Sequence, residues 1–168
     1  MALEVREARL RSAILIILQT FLTLRVREKG VNRGEVVEAF LRSQGGKPGM
    51  PWCVAFAAWV YETACKLYGE RCVVDAQLSC SELYAEAQKA KRIIPAAEAR
   101  TGDFFLIRGG PTGWQHIGVI SQPVDAEGYL TTIEGNTNEA GSAEGDGIHK
   151  RRRKIGLGVA ISIKPEKQ

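Results

Sequence analysis

The sequence predicts an α+β domain in which helices come first and an antiparallel sheet follows. Three observations carry this expectation. Up to about residue 90 the apolar residues recur at helical spacing. From residue 103 onward they fall in short runs rich in β-branched and aromatic residues. Those runs are separated by turns built on Gly, Pro, Asp and Thr. Helices followed by closely spaced strands pack as segregated layers, not as a parallel α/β sheet.

At 168 residues, 45% hydrophobic and 25% charged, the chain has enough apolar side chains for a sizeable core, so one domain over 1–168 is expected. The net charge of +4 permits attraction to an anionic partner, whether nucleic acid, a membrane surface or a wall polymer, without choosing among them. There are two histidines, His116 and His149, and four cysteines, Cys53, Cys65, Cys72 and Cys80. No C-x-x-C pair occurs and no histidine lies near a cysteine in sequence, which argues against a zinc site, and no metal or other cofactor is expected. The cysteines are too sparse for a disulfide framework; Cys72 and Cys80 are spaced to pair, with free buried thiols the simpler expectation.

A first helix is expected over residues 3–27, with Leu10, Ala13, Ile14, Ile17, Phe21 and Leu24 on one stripe and Leu15, Ile16 and Leu22 broadening it. The apolar run 13–24 is short for a bilayer span, its flank mixes Glu4 and Glu7 with Arg6, Arg9 and Arg11, and no small-residue cleavage site follows. A packed helix is therefore expected there, with neither a membrane role nor a clear signal peptide. A turn at 29–34 leads to a second helix over 35–42 that carries Val36, Val37, Phe40 and Leu41 inward. The Gly- and Pro-rich loop 44–50 lacks the Gly-Lys-Ser/Thr ending and the preceding strand of a phosphate-binding loop. A third helix is expected over 53–68, then an extended piece at 72–74. A fourth follows over 82–90, capped by Ser79 or Ser81, with Leu83, Tyr84 and Ala87 inward. Strands are expected at 103–107, 115–120, 129–134, 148–153 and 157–163, with turns at 109–113 and 125–128 and a long polar loop at 136–147. No internal repeat or domain boundary is visible.

The chemistry concentrates at Pro51-Trp52-Cys53-Val54-Ala55-Phe56, the entry to the third helix. That helix carries no charge until Glu62, so it belongs in a core. A thiol in its first turn meets unpaired backbone N–H groups and the positive end of the helix dipole, both of which favour thiolate. The same N–H groups can hold an oxyanion. A small buried apolar cysteine is the bland alternative. His116 lies on a strand, where alternation puts it on the face of Trp114 and Gly118. Glu134 ends the next strand and Asn136 follows it. If these strands are hairpin neighbours, either Glu134 or Asn136 can reach the imidazole, giving a Cys–His–Glu or Cys–His–Asn set of nucleophile, general base and tautomer-fixing acceptor.

Four pieces in this order resemble the CHAP family, the cysteine, histidine-dependent amidohydrolases/peptidases. They are the run 25–34 followed by Pro51-Trp52-Cys53-Val54-Ala55-Phe56, then Gly102-Asp103-Phe104-Phe105, then Gln115-His116-Ile117-Gly118-Val119-Ile120, then Ile133-Glu134-Gly135-Asn136-Thr137-Asn138. The resemblance covers roughly residues 25–160 and leaves the first helix, 1–24, outside its clearest part. It implies a papain-like fold and cleavage of amide bonds in bacterial peptidoglycan. Cys53 then matches the nucleophile, His116 the general base, Glu134 the residue that orients it, and Asn136 an alternative orienter or oxyanion aid. Trp52 and Trp114 would wall the cleft, with core packing the alternative for both. The aspartate-rich calcium loop found before the cysteine in some family members is missing from residues 43–50, so no calcium requirement is expected there.

Within this resemblance the bond cleaved is either the N-acetylmuramoyl-L-alanine amide or a peptide bond of the stem or cross-bridge. The alternatives are a papain-like protease or deamidase acting on proteins, and a catalytically silent wall-binding module. A phage lysin released through a holin fits such a chain. So does a delivered antibacterial toxin, which would have an immunity protein as partner. In either case it is made in the cytoplasm and acts on the wall or in the periplasm. The basic run Lys150-Arg151-Arg152-Arg153-Lys154 reads either as a patch steering anionic wall polymers or as a solvated strand face with some charges paired to Glu residues. It has no interleaved aromatics, so nucleic acid is not an expected partner.

Overall fold

The computed structural model describes residues 2–75, 77–109, 113–138, 140 and 145–166. Helix α1 (Leu3–Leu24) buries Leu10, Ala13, Ile14 and Leu18 and leaves Ile16 and Leu24 exposed. It stops three residues before the expected end. Arg25 takes a left-handed conformation (φ 50°, ψ 47°) and donates its N–H to Leu22. The chain beyond it is captured by the sheet edge: Arg27 bridges Gly147, and the Ile148 N–H donates to the Val26 carbonyl at 3.2 Å. Helix α2 (Glu35–Ser43) packs through Val37, Phe40 and Leu41, while Val36, expected inward, is 40% exposed because it falls off that stripe.

Helix α3 (Cys53–Tyr68) is buried through most of its first nine residues and ends at a left-handed Gly69. Against it gathers an aromatic group in which Phe21 and Phe40 meet Phe56 and Trp59 edge to face, with ring centroids 5.2–5.8 Å apart. No strand forms at 72–74; instead the Val73 N–H donates to the Tyr61 hydroxyl at 2.9 Å. Helix α4 (Cys80–Lys89) begins two residues earlier than expected, with Ser79 as its cap, accepting from the Glu82 N–H.

The sheet is antiparallel throughout its pairings, with order β1-β6-β2-β3-β4-β5. Its strands are β1 (Ile93–Ile94), β2 (Phe104–Gly109), β3 (Gly113–Gln122), β4 (Tyr129–Thr137), β5 (Gly147–Lys154) and β6 (Gly158–Ile161). The chain is α+β, as the sequence predicts, with its helices preceding its main strands. Strand β1 was not expected: it is two residues long and exists by pairing with β6. Residues 110–112 of the expected turn at 109–113, and 139 and 141–144 of the expected loop at 136–147, lie outside the described residues.

The two faces of the sheet have separate cores. Phe104, Leu106, Ile117, Val119, Ile133 and Ile161 join the helices. On the other face Phe105, Ile107, Ile120, Leu130 and Ala160 pack with Ala96 and Ala99. Asp103, in the Gly-Asp-Phe-Phe piece, ties these layers together. It is 1% exposed, accepts from the backbone N–H groups of Arg100 (2.8 Å) and Ile163 (3.1 Å), and pairs with Arg11 of α1 at 2.9 Å. Among the described residues no helix is long and apolar enough to cross a membrane.

Phe40→Ala is expected to lower the unfolding free energy by about 3–5 kcal/mol, because the ring is 2% exposed among other aromatics. Ile16→Ala, at a position 67% exposed, is expected to change it by less than about 0.5 kcal/mol. Urea denaturation of the two variants beside the parent protein measures both.

Candidate active site

Cys53 is the first residue of α3, where the backbone N–H groups have no helical partner. Pro51 precedes the cap residue Trp52, which offers no side-chain cap, and the Val54 N–H beside the Cys53 sulfur favours its thiolate. Trp52 holds this corner in place. Its indole N–H donates to Glu28 Oε1 at 2.7 Å, and its ring stacks on Phe40 with centroids 6.1 Å apart. It has no exposed surface, so it is a core residue and does not wall a cleft. Gly135 of β4 lies against it: a Cβ there would come within 2.6 Å of Trp52 Cζ3 and 2.9 Å of Phe56 Cβ. The residue before Cys53 thus packs on the residue after Glu134.

His116 and Glu134 are brought together by strand register. Val119 pairs with Ile133, which sets Gly118 beside Glu134 on one face, with His116 two residues along. A Cβ on Gly118 would lie 2.7 Å from Thr132 Cβ and 2.8 Å from Glu134 Cγ. Only glycine leaves the room through which the carboxylate leans toward the ring. The result is a contact of 2.9 Å between His116 Nε2 and Glu134 Oε2, with the two side chains 1% and 0% exposed. Glu134 is also gripped by Arg153 of β5, with Nε 2.8 Å from Oε1 and Nη2 2.6 Å from Oε2, and its Oε1 accepts from the Thr132 hydroxyl. Burial alone would raise the Glu134 pKa; Arg153 and then His116 overcome it and bring it down to about 2. An ionised Glu134 accepts from Nε2–H, and His116 Nδ1, buried without a hydrogen bond, is the nitrogen left for the thiol.

Cys53 is 5% exposed. The neighbouring Cys80 thiol, at the start of α4, is the largest influence lowering its pKa; with the imidazole and the Val54 N–H it outweighs burial and brings Cys53 to about 5. Burial pulls the His116 pKa down, but Cys53 and Glu134 raise it to about 9. Between these values the pair is thiolate and imidazolium. Cys80 is pushed the other way, upward, by the neighbouring Cys53 sulfur and by burial. All four cysteines are free. Cys72 neighbours Cys65 and Cys80 neighbours Cys53, so the Cys72–Cys80 pair considered from spacing is not the one the fold brings together.

Two expectations about neighbouring residues change. Ile107 pairs with His116 but Arg108 pairs with Trp114, so Gln115 is an extra residue in β3. Successive β2 residues point to opposite faces, and Trp114 therefore does not share the face of His116. It lies on Tyr84 of α4, centroids 4.7 Å apart, and under the Arg108 guanidinium at 4.6 Å. Asn136 does not orient the imidazole. It sits at φ 56°, where the β4–β5 register shifts, and its amide is fully buried with neither Oδ1 nor Nδ2 hydrogen-bonded.

Arg153 is the residue that sequence reasoning missed. The signal was strand alternation in the basic run: Lys150, Arg152 and Lys154 are exposed while Arg151 and Arg153 are half-buried. Arg152 pairs with Asp125 and Glu127 and covers the Tyr129 ring at 4.0 Å. The run is thus to that extent a strand face with paired charges. Among the described residues no group of three or more His, Cys, Asp or Glu is placed to hold a metal ion.

A family model described as "CHAP domain" matches residues 45–136, just over half of the chain, a span that contains Cys53, His116, Glu134 and Asn136. A comparison with curated proteins returned no match.

Alkylation of the Cys53-containing peptide by iodoacetamide, followed by mass spectrometry across pH, is expected to rise with a midpoint near about 5. The Cys80 peptide is expected to stay unreactive until strongly alkaline pH. A Cys53 midpoint at the ordinary thiol value would contradict the electrostatics described.

Proposed function

This chain belongs to the CHAP family, and from that premise we propose that it cleaves amide bonds of bacterial peptidoglycan with Cys53, His116 and Glu134 as a catalytic triad. CHAP domains are cysteine- and histidine-dependent amidohydrolases and peptidases of the peptidoglycan-hydrolase type. The observation that carries the residue assignment is the 2.9 Å contact of Glu134 with His116 Nε2, beside a thiol whose pKa is lowered to about 5 at the start of a buried helix.

In this reading His116 Nδ1 takes the Cys53 proton and Glu134 steadies the imidazolium. The thiolate attacks the substrate carbonyl, and the Cys53 backbone N–H holds the oxyanion. Asn136, with its buried and unbonded amide, is an auxiliary polar group for that intermediate. His116 then protonates the leaving amine, and water activated by His116 hydrolyses the thioester. The whole chain acts as one catalytic unit on the wall or in the periplasm, after release as a phage lysin or delivery as an antibacterial effector. In the second case an immunity protein is its cognate partner. The bond cleaved is the N-acetylmuramoyl-L-alanine amide or a stem or cross-bridge peptide bond.

Digestion of purified peptidoglycan, read by mass spectrometry of the released fragments, tests this. Free stem peptides mark an amidase; broken stems or cross-bridges mark an endopeptidase. Cys53→Ala and His116→Ala are expected to lower release by roughly three orders of magnitude or more, and Glu134→Gln by less than either. No Cys53-dependent release from several wall types would remove the wall-hydrolase reading in favour of a protein substrate or a silent binding module. Activity is expected to appear as pH rises through about 5, where Cys53 ionises, and to fall through about 9, where His116 loses its proton.

A further inference from the structure

Beyond the triad, the buried site has a charge problem that its own members do not solve. Thiolate, imidazolium and carboxylate together carry one net negative charge. Cys53, His116 and Glu134 are 5%, 1% and 0% exposed, so water does not compensate it. The Arg153 guanidinium, whose side chain is 13% exposed, brings the set to zero. Its geometry is a fork, with Nε and Nη2 each taking one carboxylate oxygen. Nη2 shares Oε2 with His116 Nε2, so the guanidinium fixes the plane from which the imidazole is addressed.

We propose that Arg153 is a positioning residue of this site: its fork keeps the Glu134 carboxylate ionised and turned toward His116 Nε2, and its charge lets thiolate and imidazolium coexist in a closed interior. The inference rests on the triad reading given above. Among the described residues the groups facing Glu134 are His116 from β3, Thr132 from its own strand and Arg153 from β5; Cys53 of α3 acts through the imidazole, and Cys80 of α4 acts through Cys53. Thr132 supplies a hydrogen bond and no charge. Among the groups that act on Glu134, Arg153 therefore supplies the positive charge that persists when His116 is neutral. Without it, every more protonated form of the site gains over the competent one, whether the proton settles on Glu134 or on Cys53. The sign is fixed: the acid limb of activity must move to higher pH.

The test is a titration of the Glu134 side-chain carboxyl by carbon-13 NMR in the full chain, assigned against Glu134→Gln, for wild type, Arg153→Met and Arg153→Lys. In the methionine variant the midpoint is expected to rise by about one to three pH units. The lysine variant keeps a charge but not the fork, and its rise is expected to be smaller. In parallel, the acid limb of wall digestion is expected to climb with the carboxyl midpoint. A folded Arg153→Met with an unmoved midpoint overturns the proposal, and so does an activity lowered equally at every pH, which marks a merely structural role. If the methionine variant does not fold, Arg153→Lys decides alone: a raised midpoint supports the fork, and one equal to wild type overturns it. The carboxyl titration needs no substrate, so failure of the wild-type protein to digest walls counts against the proposed function and leaves this result standing.

Discussion

A carboxylate with no exposed surface can be part of a folded protein only if its neighbours replace water around it. Glu134 meets that condition with an imidazole from β3, a hydroxyl from β4 and a guanidinium from β5. Three strands must therefore be in register at once, and a slip of one residue in either pairing would turn a partner to the opposite face. Gly118 belongs to the same constraint, since any side chain there would occupy the space of Glu134 and Thr132. The shape of the sheet around residues 116–153 follows from satisfying one buried charge.

The helical layer is attached to this arrangement through Trp52. The indole is held by Glu28 and Phe40 and meets Gly135 of β4. Cys53 follows Trp52 and Glu134 precedes Gly135, so a single aromatic contact fixes the thiol-bearing helix relative to the carboxylate-bearing strand. The thiol then gains its low pKa from local features: a helix start, a second thiol from α4 and the imidazole. Neither layer produces the site alone. The α layer contributes the sulfur and the donors around it; the β layer contributes the base and the charges that hold it.

How much of this is legible in sequence depends on the distance over which each feature is decided. The extent of α3 and the approximate place of the main strands come from local periodicity and agree with the structure. The nearness of His116 to Glu134 also follows from reading successive strands as hairpin neighbours. Features set by non-local pairing were hidden. The early end of α1 reflects capture of Val26 and Arg27 by β5, and β1 exists only because β6 lies beside it. The extra residue at Gln115 breaks the alternation that had placed Trp114 with His116. Arg153 was masked by its neighbours: five consecutive basic residues look like one patch until alternation divides them between solvent and interior.

The insertion of β6 between β1 and β2 has a consequence for the order in which the protein is built. Strands β2 to β5 follow one another and pair by hairpins, so they can assemble as they leave the ribosome. The outer edge of β2 stays open until residues 158–161 are synthesised, and Ala160, part of the second core, arrives with them. Until then the nascent chain presents an apolar strand, Phe104 to Ile107, with one edge unpaired, which is a template for pairing with another chain. Thiol, imidazole and carboxylate have all been made by that stage, but the sheet that carries two of them is not yet closed on its far side. Completion of the sheet therefore waits on residues 158–161, and until they arrive the β2 edge is open to pairing with another chain.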